Sequence, residues 1–199
     1  LGDVCPLSVA RVDNGYLHTE SIYDDEALAE ALAERFDAVR VGVHEDVAVA
    51  LGYNWDGAVE GERRIAQVFT STLAGGGYSD RPVGAGPLRE VCRQLLRAAY
   101  LGTLLAAVAL GRRVAVLTLI GGGVFSNPPA LIWESILWAM AEVDRVAPGP
   151  LEVFVNGRAL SKALPMEELA AAARARGGAA VTLLRQTVSS GAPFFAVHR

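Results

Sequence analysis

Two cysteines, three histidines and a single lysine, Lys162, are all that this 199-residue chain holds of the side chains that most often announce a site. Cys5 and Cys92 cannot build a disulfide framework, and no CxxC or CxxH pair is present to hold zinc. Such sparing use of cysteine suits a reducing compartment, so a cytoplasmic location is expected. Basic charge is short too, with 18 Lys and Arg against 22 Asp and Glu. That balance argues against wrapping DNA or RNA, where a basic stripe is the usual footprint, and no nucleic-acid groove is expected. The longest apolar run, Ala98 to Leu110, has 13 residues, short of the ~20 that span a bilayer, so no membrane partner is expected. The chain opens on Leu1-Gly2 without a charged-then-apolar leader, and its start is read as a cut in a longer protein.

What is present is apolar. At 52% hydrophobic and 20% charged, the composition excludes a disordered chain and supplies a full core. No internal repeat or low-complexity linker divides it, so residues 1–199 are expected to form a single α/β domain. Asp24 to Phe36 predicts an amphipathic helix with Leu28, Leu32 and Phe36 on one stripe. Ala38 to Val43 alternates like a strand, a second apolar run follows at Val47 to Leu51, and Ile65 to Thr70 is another strand candidate. Leu88 to Leu110 reads as a long helix bent near Gly102. Val114 to Ile120 reads as a central strand covered on both faces. Pro128 and Pro129 open a helix over Ala130 to Val143. A strand at Leu151 to Val155, a helix at Met166 to Arg176 and a strand at Ala180 to Leu184 complete an alternation of βαβ type.

The most informative stretch joins the buried strand VAVLTLI to GGGVFSNPP and the next helix. A glycine-rich turn at a helix N-terminus gathers free backbone N–H groups and the positive end of the dipole, which together favour an anion. A tight turn with close helix–strand packing is the structural alternative. No Lys follows the glycines, so the loop is not of the Walker type, and Ser126 stands where a dinucleotide fingerprint needs glycine. A nicotinamide cofactor stays open only through Arg158, just after LEVFVN, where a 2′-phosphate could sit.

Tyr100-Leu-Gly-Thr-Leu-Leu-Ala-Ala, VAVLTLI, and Gly121-Gly-Gly-Val-Phe-Ser-Asn-Pro with its following helix resemble the C-terminal half of a macrodomain, over roughly Leu88 to Val155. The resemblance implies a three-layer α/β/α fold with a mixed, mostly parallel central sheet. It also implies a loop that wraps the diphosphate and distal ribose of ADP-ribose. Gly121, Gly122, Gly123 and Val124 would line the diphosphate through backbone N–H groups, Phe125 would pack on the ribose, and Ser126 and Asn127 would complete the loop. Asn156 would stand beside the adenine, and Asp3, in a Gly-Asp-Val turn, would take its amino group. The family's Asn-Ala-Ala-Asn stretch is absent, so binding is better supported than hydrolysis.

Other polar groups are weighed against plainer roles. His44, Glu45 and Asp46 end a predicted strand, and Asn54 and Asp56 follow in GYNWDG. Glu45, Asp46, Asn54 and Asp56 are the candidates for activating a water in an ADP-ribosyl hydrolase; a polar turn is the alternative. A metal on His44 with Glu45 or Asp46 is disfavoured because adjacent strand residues point to opposite faces, and no metal is expected. Gly75-Gly76-Gly77-Tyr78 reads first as a connection into the Pro87 helix start, with a binding role for its N–H groups and the Tyr78 ring as the alternative. Cys92 is expected to be buried and inert, and Arg89, Arg93 and Arg97 to form a solvated basic stripe. Trp133 and Trp138 lie on different sides of one helix, which leaves one for a partner chain and keeps oligomerisation open. The expected partner is thus an ADP-ribose-type small molecule or an ADP-ribosylated macromolecule, with no bound cofactor. A non-catalytic interaction domain and an NAD(P)-dependent oxidoreductase are the competing functions.

Overall fold

A computed structural model describes residues 1–50, 61–79, 81–156, 160–180 and 195–197. Among them the chain is mixed α/β, built from small sheets laid against helices. Strands β1 (Ala10–Asp13) and β2 (Tyr16–Ile22) form a hairpin that turns on Asn14-Gly15, whose φ angles are +48° and +82°. Helix α1 (Asp25–Glu34) starts where Asp24 accepts the Ala27 N–H at 3.0 Å, and it buries Leu28 and Leu32.

The strand expected at Ala38–Val43 begins only at Gly42. Phe36–Ala38 is a short 3-10 turn, and β3 covers Gly42–Ala48. Helix packing captures the intervening segment: the Phe36 ring meets Trp138 edge-on at 5.7 Å, and Val41 lies against Gly102. Strand β4 (Arg64–Phe69) pairs antiparallel with β3 across a bulge between His44 and Val47. The short β5 (Leu73–Ala74) runs parallel to β2.

Helix α2 (Gly86–Ala109) is the centre of the core, packed between α1 and α3 (Pro129–Asp144). It is also long and apolar enough, by length and composition, to cross a membrane. It runs unbroken through Gly102, so that glycine answers a packing need. A Cβ there would stand 2.6 Å from Val41 Cγ1.

Strand β6 is shorter than expected, Val114–Leu117, and is covered on one face only. Ala115 and Leu117 are buried, whereas Val114 and Val116 are 48% and 66% exposed. Beyond Leu117 the Tyr100 hydroxyl draws the chain out of the ladder, donating to the Thr118 carbonyl at 2.9 Å and accepting the Ile120 N–H at 3.1 Å. Strand β7 (Glu152–Val155) is parallel to β6, and β8 (Phe195–Val197) is antiparallel to β7. Two further helices, α4 (Leu160–Ala163) and α5 (Met166–Arg174), follow β7. The strand expected over Ala180–Leu184 falls, after Ala180, outside the described residues.

Two of the three arginines expected on a solvated stripe, Arg93 and Arg97, sit in the seam between α2 and α3. Arg93 and Arg97 lie 3.4 and 3.6 Å from Glu134, and the Arg97 guanidinium stacks 4.8 Å from the Trp138 ring. Trp133 is buried and Trp138 is half-buried by Arg97 and Phe36, so both indoles are used within the chain.

Candidate functional site

The loop Gly121–Asn127 leaves the carboxyl end of β6 and enters α3. Its shape is set from one residue, Asn127, which is 1% exposed. The Asn127 amide donates to the Leu73 carbonyl at 2.8 Å and to the Phe125 carbonyl at 3.2 Å, while its oxygen accepts the Cys92 thiol at 3.5 Å. Its backbone N–H closes the loop on the Gly121 carbonyl at 2.9 Å. One side chain thereby ties the loop to β5 and α2. Gly121 has φ +74°, and a Cβ there would lie 2.3 Å from Thr72 Oγ1, so no larger residue fits. Burial pushes the Cys92 thiol up to about 12, which keeps it protonated as a donor to Asn127.

Several loop amides are already committed. Gly122 donates to Leu119, and Ser126 donates to Gly123. The N–H groups of Gly121, Gly123, Val124 and Phe125 have no hydrogen-bond partner among the described residues. Four such donors on one short loop ahead of a helix N-terminus suit a phosphate-type anion. Pro128 and Pro129 lack N–H groups, so the first turn of α3 adds only the Ala130 and Leu131 amides to those of the loop.

The second glycine loop is part of this region, not a plain connection. The Gly77 N–H donates to the Val124 carbonyl at 3.0 Å, and a Cβ on Gly76 would lie 2.2 Å from Ser126 Oγ. The two glycine loops thus touch backbone to backbone. Phe125 is gripped by the Tyr78 ring at 5.4 Å and the Tyr16 ring at 5.8 Å. His18 closes the circle, 6.0 Å from Tyr78 and 6.3 Å from Tyr16. Four rings from β2 and both loops form a platform beside the free amides, and both tyrosines are exposed.

Behind the platform Thr72 and Thr19 are fully buried, with hydroxyls that lack a hydrogen-bond partner among the described residues. Two clefts flank the start of the loop. One, of about 500 Å³, lies between α2, β4 and β6. The other, of about 440 Å³, is bounded by Leu1, Tyr16 and residues 68–71. Ile120, Val68 and Thr70 line both clefts, whereas no residue of Gly121–Asn127 lines either. A ligand on the loop amides would reach the clefts past Ile120.

Of the residues singled out by sequence, Asn156 sits at the carboxyl end of β7, beside the strand that feeds the loop, and donates its N–H to the Leu117 carbonyl at 3.0 Å. Asp3 is exposed in the turn over Leu1–Cys5, two residues after Leu1, which borders the second cleft, and does not itself line it. Glu45 and Asp46 are exposed on β3, where Arg112 pairs with them at 3.0 and 3.4 Å. Asn54, Asp56 and Arg158 lie outside the described residues. No group of three or more metal-ligating side chains occurs among the described residues. Sequence reasoning missed Tyr16, His18 and Thr72. The hydroxyl run Thr70-Ser71-Thr72, ending a strand just before a glycine triplet, was the available signal.

No family model, curated protein or solved structure matches the chain.

Proposed function

We propose that this chain is a macrodomain-like protein that binds ADP-ribose, or a related nucleoside diphosphate, on the Gly121–Asn127 loop. In this reading its strands belong to the mixed central sheet of a three-layer α/β/α fold, although three of the five described strand pairings are antiparallel rather than parallel. The observation that carries the reading is the set of four amides, at Gly121, Gly123, Val124 and Phe125, that have no partner among the described residues, on a loop held in place by Asn127. The diphosphate occupies these donors, and the exposed rings of Tyr16 and Tyr78 beside Phe125 face the sugar beyond it. The same contacts would hold an ADP-ribose group carried by a modified macromolecule. Binding is the activity proposed; of the candidates for cleaving an ADP-ribosyl bond, Glu45 and Asp46 are engaged with Arg112 on the β3–β4 hairpin, and Asn54 and Asp56 lie outside the described residues.

The test is titration calorimetry with ADP-ribose, with AMP and NAD as controls. Micromolar binding of ADP-ribose and much weaker binding of AMP is the expected result. Gly123→Glu is the diagnostic variant, since a Cβ at Gly123 meets nothing within 4 Å and the fold is left alone. Its carboxylate, placed among the donors, should weaken ADP-ribose binding by tenfold or more, roughly 1.4 kcal/mol. Unchanged affinity in a folded Gly123→Glu protein would refute the reading. No heat with any of the three nucleotides would favour the interaction-domain alternative.

A further inference from the structure

The cleft of about 500 Å³ above α2 has an unusual wall on each side. Backbone groups along a strand alternate in direction, so each paired edge fixes the other. On β6, the Arg113 and Leu117 carbonyls accept from Glu152 and Asn156, which turns the odd-numbered residues toward β7. The N–H and C=O groups of Val114 and Val116 therefore point away from β7, into the cleft. On β4, the Arg63 carbonyl accepts from Val49, which turns the odd-numbered residues toward β3. Ala66 and Val68 therefore point their backbone groups into the same cleft, which they line together with Val114 and Val116. Among the described residues neither edge has a partner, and the two confront each other across a gap floored by Ala99, Thr103 and Ala106 of α2.

We propose that β4 closes onto β6 as its parallel neighbour, converting the β3–β4 hairpin and the β6–β7–β8 sheet into one continuous sheet over α2. Three independent features agree. Strands β4 and β6 are connected through α2, the helical crossover that parallel neighbours use. Residue parity fits as well: the half-buried residues of β4 are Ala66 and Val68, and the buried ones of β6 are Ala115 and Leu117. Pairing an even residue of β4 with an odd residue of β6 places both on the α2 face. The same pairing directs the bonds of Ala66 and Val68 to the residues flanking the partner, which are Val114, Val116 and Thr118. Finally, edges of this kind carry a standing cost in unpaired backbone and invite intermolecular pairing. Closure removes both edges and brings Thr70 and Ser71, at the end of β4, against Ile120 at the start of the glycine loop.

The test is residue-resolved amide exchange on the full chain, with Ala66→Pro as the perturbation. Ala66 stands opposite the β3 bulge and its N–H faces away from β3, so proline there spares the hairpin and blocks the new ladder. If closure occurs, the Val114 and Val116 amides are protected in the natural chain and lose about tenfold or more of that protection in Ala66→Pro. The Ala115 and Leu117 amides, which face β7, keep their protection in both proteins and report that the sheet is still folded. Exchange of Val114 and Val116 at unprotected rates in the natural chain would overturn closure. Protection that survives Ala66→Pro, or that rises with protein concentration, would overturn it too, and would assign the slot to a strand from outside.

Discussion

Asn127→Asp changes one atom of the side chain that shapes the glycine loop, and its effect can be worked out in advance. The amide nitrogen faces two carbonyl oxygens, those of Leu73 at 2.8 Å and Phe125 at 3.2 Å. An aspartate turns that donor into an acceptor, so two bonds worth about 1 kcal/mol each are lost and two carbonyls face a carboxylate. The position is 1% exposed and no basic side chain bonds to it among the described residues, so the ionised form is a buried charge without a bonded counter-ion, costing about 3–5 kcal/mol. For a chain of this length that corresponds to a fall in Tm of roughly 6–20 °C, at ~2–4 °C per kcal/mol. The protein avoids part of the cost by keeping the carboxyl protonated, which raises its pKa above the unfolded value of ~3.9. A raised carboxyl pKa means that the folded state binds the extra proton. The deficit relative to the natural chain is therefore smallest below about pH 4 and grows as pH rises through the folded pKa. Urea unfolding of both proteins at pH 4.5 and pH 7.5 measures this. A variant within about 1 kcal/mol of the natural chain at the higher pH, or one whose deficit ignores pH, would show that Asn127 does not hold the loop.

Three more outcomes follow from the geometry. Gly102→Ala should destabilise by about 1 kcal/mol despite alanine's better helix propensity, because its Cβ meets Val41 Cγ1 at 2.6 Å; combining it with Val41→Ala should recover that loss in thermal melts. Tyr100→Phe should cost about 1–3 kcal/mol in urea unfolding by stripping the Thr118 carbonyl and the Ile120 N–H of their shared hydroxyl. Because burial pushes the Tyr100 phenol up, its contribution is complete below pH ~10 and is lost as pH rises beyond it; spectroscopic titration should find one tyrosine that ionises only with unfolding. Cys5 and Cys92 are both buried with raised thiol pKa values, so a thiol reagent at neutral pH should label neither until denaturant is added.

The helices were legible because their signals are local. The Leu28 and Leu32 stripe and the Pro128-Pro129 start each act within a turn or two of chain, and both lie where the sequence puts them, although the first helix starts one residue later than Asp24 and ends before Phe36. The strands were read less well because their limits depend on distant partners. Strand β3 starts late since Val41 is taken up by a glycine 61 positions further on, a contact no window of sequence displays. The β1–β2 hairpin was missed although Asn14-Gly15 is among the strongest turn signals available. Expecting β6 to be covered on both faces followed from its apolar run, yet the Val114 and Val116 side chains are exposed. In the candidate site, the glycine loop was visible as a motif. Its contact with the second glycine loop was not, because neither triplet specifies what it packs against.

The Asn127 anchor also has a bearing on the order in which the molecule assembles. Its side-chain bonds span 35 residues to Cys92 and 54 residues to Leu73, so they form only when β5, α2 and the start of α3 have met. Contacts of such sequence separation are made after the loop-closure entropy between them has been met, late on the folding route. The Gly121–Asn127 loop is then among the last parts of the chain to acquire its shape and among the first to give it up. Substitutions at Asn127 or Gly121 should consequently leave the folding rate almost untouched and act on how quickly the native protein unfolds.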